Sequence, residues 1–208
     1  MKLVAQVLVV LGTLTALGCS GQLDRSDFTE VTCGAPRFIL AGIRPAEAGT
    51  YVAAVGFGGS DPFGTFGTAC STAPDRPSCE KAIAEAVPTS SWDTREQGGA
   101  ESLPRRGYFV VERDGVVTTA GTVDAVKAVL GSIDTPSEAV LIASLAHREA
   151  SVDCGENHVV KTNGGFDVLL SLQRSCNNGK TEVRVHVSAA GETSVVDEYR
   201  KESSASCS

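Results

Sequence analysis

A chain of 208 residues holds one ordinary domain or two small ones, and 18 basic against 25 acidic residues give it a formal charge of −7. That balance argues against the basic footprint that nucleic-acid binding needs, and 42% apolar residues exclude a wholly disordered chain. Beyond residue 18 no apolar stretch is long enough to span a bilayer.

Residues 1–18 read MKLVAQVLVVLGTLTALG, with Lys2 ahead of an apolar run from Leu3 to Leu14. A short positive start followed by a short apolar core predicts a signal peptide for export. The next step, Ala16-Leu17-Gly18-Cys19, resembles the lipobox of bacterial lipoprotein precursors. The resemblance implies that Cys19 carries lipid and becomes the first mature residue. Ser20, in the place where Asp would signal inner-membrane retention, implies the outer membrane. Ordinary secretion stays open, because Ala16 and Gly18 also satisfy the small-x-small rule of general signal cleavage. Removal of residues 1–18 takes away Lys2 and leaves 17 basic against 25 acidic residues, a charge of −8.

The cysteine count fits an anchored protein. There are seven, and with Cys19 given to a lipid six remain: Cys33, Cys70, Cys79, Cys154, Cys176 and Cys207. Six cysteines in an exported chain predict three disulfides.

Residues 19–32 are polar and acidic and read as a lipid-anchored tether. Arg37–Leu40 and Thr50–Phe57 read as strands, the second apolar enough to be buried on both faces. The stretch Gly56–Cys70 is rich in glycine and phenylalanine and reads as a loop. A helix is expected over Asp75–Val87, capped by Asp75 or Ser78, with Pro77 tolerated in its first turn. Cys79, Ile83 and Val87 recur at a spacing of four, which turns Cys79 to the core and makes Cys70 its expected partner. Thr89–Arg106, with Gly98-Gly99 and Pro104, reads as a linker.

The pattern sharpens from residue 107. Tyr108–Glu112 and Val116–Thr119 flank the hairpin signal Asp114-Gly115. Thr122 caps a helix that presents Val123, Val126 and Leu130 and stops at Gly131. Thr135-Pro136-Ser137-Glu138 is a capping box, and the Ala/Leu/Ile/Val-rich helix behind it is expected to be buried. Strands over Val159–Thr162, Phe166–Arg174 and Val183–Val187, with a short one over Ser194–Glu198, form an antiparallel meander. Cys154 and Cys176 flank its first hairpin and are placed to pair across it. The alternating strand Val183–Val187 is a candidate exposed edge for strand addition.

Three groups of residues invite chemistry. Phe57, Phe63 and Phe66 on the glycine-rich loop are candidate partner contacts. His147, Glu156 and His158, around Cys154, are ligand types for zinc or copper, although their spacing matches no standard site. The position of His147 near a helix C-terminus would by itself favour its charged form. Cys154 and His158 have the residue types of a nucleophile and base, but an exported chain with an even remaining cysteine count would use Cys154 in a disulfide. Neither the G-x-S-x-G elbow nor a C-x-x-C redox motif is present.

The expectation is an α+β chain with an antiparallel sheet or meander, two to three helices and disulfide staples. It divides into a signal peptide (1–18), a tether (19–32), an N-terminal subdomain (33–106) and a hairpin–helix–meander unit (107–208). Its expected role is non-catalytic. It is a lipid-anchored envelope protein, reaching the membrane through its N-terminal lipid and contacting another envelope protein. A zinc- or copper-binding envelope protein and an unrecognised envelope enzyme are the alternatives. The sequence leaves the partner and the oligomeric state open.

Overall fold

A computed structural model of the chain describes residues 25–30, 42–56, 62–93, 106–148, 150–151, 157–173 and 180–201. The expected signal peptide, Cys19 and the expected strand at 37–40 lie outside the described residues. Among the described residues two antiparallel sheets and three helices make up the α+β architecture. Among the described residues no helix is long and apolar enough to cross a membrane.

In the first sheet β2 (Tyr51–Gly56) lies between β3 (Pro62–Phe66) and β5 (Arg106–Arg113). The far edge of β5 carries β4 (Trp92–Asp93) and then β6 (Val116–Ala120). The second sheet runs β1 (Thr29–Glu30), β8 (Asn157–Thr162), β9 (Gly165–Gln173), β10 (Lys180–Ser188), β11 (Thr193–Lys201). The short β7 (Ala150–Ser151) also pairs with β9. The helices are α1 (Arg76–Ala84), α2 (Val123–Leu130) and α3 (Pro136–Ala146).

Local sequence fixes most of these elements. Asp114 and Gly115 both take positive φ, 52° and 82°, so the β5–β6 hairpin closes as the mirror-image turn that the strand twist favours. Asp75 rather than Ser78 caps α1, accepting from the Ser78 N–H at 3.2 Å. Thr122 caps α2, and Gly131 ends it at φ 72°. Val87 falls beyond the end of α1 and is 79% exposed, so the apolar face of that helix is carried by Cys79 and the half-buried Ile83.

The core is organised around α3. Residues 138–145 are all buried, as expected of a helix that is apolar on every side. One cluster joins α3 to Val52, Ala54, Phe109, Val111 and Ala120 of the first sheet. The same cluster takes in Val168, Leu170, Val183, Val185 and Val187 of the second. The opposite face of the first sheet holds Tyr51, Ala53 and Val110 and is covered by Ile83 and Ala86 at and after α1. Each fully buried aliphatic side chain in such a core contributes about 1.5–3 kcal/mol.

Three expectations change. The 33–106 and 107–208 units are not separate in the structure: β2 pairs with β5 from Tyr51↔Glu112 to Gly56↔Gly107, and both halves share one core. The tether is shorter than residues 19–32, because Arg25–Glu30 lies on the domain. There β1 pairs with β8, Phe28 is buried and Arg25 ion-pairs with Glu182. The 89–106 linker contains β4, and its Trp92 is 2% exposed. Trp92 meets Phe109 edge-on, at 4.9 Å between ring centres, and lies over Gly107, where any side chain would collide with its indole. The sequence pattern missed Trp92 because two residues are too few to show alternation.

One interior charge ties the core to the chain around it. Glu138 is fully buried. Its Oε2 accepts the N–H groups of Asp134 and Thr135, both at 3.0 Å, and Oε1 accepts that of Arg44 at 2.6 Å. The Thr135 bond completes the capping box of α3, the Asp134 bond holds the residue before it, and the third binds the 42–44 segment to the helix. Replacing Glu138 with Ala leaves three part-buried backbone donors without their acceptor. The expected loss, read from urea unfolding, is about 2–4 kcal/mol, with Glu138→Gln losing less because it keeps one acceptor oxygen.

Candidate functional site

The Gly/Phe segment is the first candidate, and the structure revises it. Pro62–Phe66 is the edge strand β3, not a loop. Glycine content misled the pattern, since the strand is held by pairing with β2 rather than by its own propensity. The register pairs Ala54 with Gly64 and Val55 with Pro62, which leaves Phe63 as the extra residue of a bulge. Bulges re-aim side chains. The Phe63 ring lies over Gly56, within reach of where a Cβ would stand, and remains 41% exposed. Phe66 instead packs half-buried against the main core. Phe57 lies outside the described residues. The three phenylalanines are therefore not one surface: Phe63 faces solvent and Phe66 anchors the strand.

Four residues beyond this strand the chain is stapled. Cys70 and Cys79 are joined by a disulfide, as their placement predicts. Cys70 holds a positive φ of 55°, and its N–H donates to Glu112 Oε2 at 2.8 Å. Glu112 is fully buried, and its other oxygen accepts the Gly115 N–H at 2.8 Å. One carboxylate thus holds both the turn before α1 and the β5–β6 hairpin. The two sulfurs and the Glu112 carboxylate lie within 4.8 Å of one another, the one such ligand-type group of three among the described residues. With its sulfurs joined in a disulfide, it presents no thiolates. Cys33, Cys154, Cys176 and Cys207 lie outside the described residues.

The expected metal residues are placed apart from that group. His147 caps the C-terminus of α3, its N–H donating to the Ala143 carbonyl at 2.9 Å. Its Nε2 is buried with no hydrogen-bond partner among the described residues, and burial pushes its pKa below the ordinary value. The direction is opposite to the one a helix C-terminus alone would give, because burial disfavours the charged form. His158 is 2% exposed on β8, and Glu156 lies outside the described residues. Among the described residues neither histidine belongs to a group of three ligand atoms.

Sequence reading missed a polar row on the outer face of the second sheet. Asp167 accepts from Arg184 Nε at 2.8 Å and meets His186 Nδ1 at 2.7 Å. The Arg184 guanidinium lies 5.8 Å from the centre of the Phe28 ring. Bonding to Asp167 raises the Arg184 pKa further. The signal was present: Asp167 interrupts an apolar run, and alternation puts Arg184 and His186 on one face. Their partner was invisible because it lies on another strand.

No protein-family model, curated protein or solved structure matches this chain.

Two outcomes follow from these environments. Cys70→Ala with Cys79→Ala releases a loop of nine residues' separation and should cost about 2–3 kcal/mol in chemical unfolding. His147 should make stability fall with acidity. Below pH 6.5 the unfolded chain takes up a proton that the folded chain, with its lowered pKa, resists. Unfolding free energy measured from pH 7.5 down to 5.5 should decline, and His147→Gln should flatten that decline.

Proposed function

We propose that this protein is an exported envelope lipoprotein, anchored by lipid on Cys19, whose folded domain acts by contact with another envelope protein rather than by catalysis. The observation that carries the contact reading is Phe63: an aromatic ring raised by a bulge on the edge strand β3 and left 41% exposed. Edge strands accept partner strands, and an exposed aromatic beside one supplies the side-chain anchor. The Cys70–Cys79 disulfide fits the oxidising compartment to which the N-terminal sequence points.

The anchor reading gains a geometric consequence from the docked N-terminal segment. From Cys19 to Arg25 is six residues, about 20 Å at full extension. An anchored domain would therefore stay near the bilayer, with the second sheet, where Arg25 binds Glu182, on the anchored side. A lipobox cysteine in the resembling family carries several chains, enough for stable attachment.

The test is an intact mass of the chain extracted in detergent from its own host. A species that begins at Cys19 and carries added acyl mass is the expected result. A chain still bearing residues 1–18, or one cut there without lipid, would overturn the anchor. For the contact, a photoreactive residue at position 63 should capture an envelope protein. Phe63→Asp should leave thermal stability within about 0.5 kcal/mol, as for most surface changes. A photoreactive chain that captures nothing in its native envelope would overturn the contact reading.

A further inference from the structure

We infer that this chain forms a symmetric dimer by pairing β11 with the β11 of a second copy, antiparallel and centred on Tyr199. This inference does not depend on the lipid anchor.

Strand β11 is nine residues long and ends the second sheet. Among the described residues its one neighbouring strand is β10. Residues 194–198 are all exposed, Val195 and Val196 by 51% and 52%. This placement corrects the expectation of an edge at Val183–Val187, because β10 is flanked by β9 and β11. The other sheet ends are shorter: β1 has two residues and an irregular register, while β3, with a bulge and Pro62 at its start, and β6 have five each. A long unpaired strand edge is a template for another strand.

The order of charges chooses the occupant. The strand reads Asp197-Glu198-Tyr199-Arg200-Lys201, two acids, a tyrosine and two bases. A two-fold axis through Tyr199 sets Asp197 opposite Lys201 and Glu198 opposite Arg200, each twice. Every pair across that axis is of opposite charge, apart from tyrosine facing tyrosine. Centring the pairing on Asp197 or Glu198 instead puts an acid against itself, and parallel in-register pairing opposes every like charge. Opposite charges directly across a ladder stabilise it and like charges destabilise it, so this sequence favours one register and one partner, itself. On the neighbouring strand Arg184, the residue opposite Asp197, is itself held by Asp167. Pairing would join two six-stranded sheets into one and cover residues 197–201 of each edge.

Density-matched sedimentation of the full chain in detergent tests this. The wild-type chain should dimerise, and adding salt should weaken the dimer. The variant D197K/E198K has an all-basic strand end and R200E/K201E an all-acidic one. Each should lose at least about tenfold in self-association while keeping the wild-type circular dichroism spectrum. Mixed together, they should form a one-to-one dimer, because every opposed pair is again of opposite charge. A wild-type chain that stays monomeric up to about 100 µM would overturn the inference. So would two variants that self-associate like wild type, or a folded pair that fails to combine.

Discussion

A carboxylate in the middle of an apolar core has lost its water, and something must replace it. At Glu138 three backbone N–H groups do so, two from the start of α3 and one from the segment at Arg44. The arrangement fixes more than a helix end. Thr135 Oγ1 donates to the Gly42 carbonyl at 2.9 Å, and a side chain at residue 42 would collide with Ser137. The 42–44 strap and the α3 N-terminus are therefore locked to each other. The helix that both sheets pack against has its position set at this point.

Glu112 repeats the device one layer out. It has no exposed surface and binds the N–H groups of Cys70 and Gly115. The disulfide then holds α1 over the first sheet. Asp167 is the third case, on the outer face of the second sheet, where it is satisfied by the Arg184 and His186 side chains instead of backbone. Each buried acid joins pieces of chain far apart in sequence. Breaking a bond of this kind strands a buried donor or charge, which costs more than the bond itself contributes.

With these groups committed to holding the fold, two strand edges stand out among the described residues. Phe63 stands on one and β11 forms the other, at the ends of different sheets. The two can be occupied at once. A self-pairing edge and a separate aromatic contact would let a paired molecule present two Phe63 rings, which favours binding to a repeated or symmetric partner by raising the effective concentration of the second contact.

Signals within a few residues were legible in the sequence. The capping box at Thr135, the Asp114-Gly115 turn, the caps at Asp75 and Thr122 and the Cys70–Cys79 pairing each depend on neighbours along the chain. Alternation also marked β9 and β10, because one face of each lines the core. What tertiary structure decided involves partners distant in sequence. Pro62–Phe66 is a strand because β2 lies beside it, and Trp92 is core because Phe109 and Gly107 receive it. The domain boundary expected at residue 106 vanished because β5 pairs back to β2. Nothing in the composition of β10 showed that it lay inside the sheet and that β11 formed its edge, since a strand's own period is the same in either place. The sequence by itself determined the local turns, caps and amphipathic faces. Only the folded chain decided which edges stayed open and which acids were buried, because burial depends on what packs across from a residue and not on what precedes it.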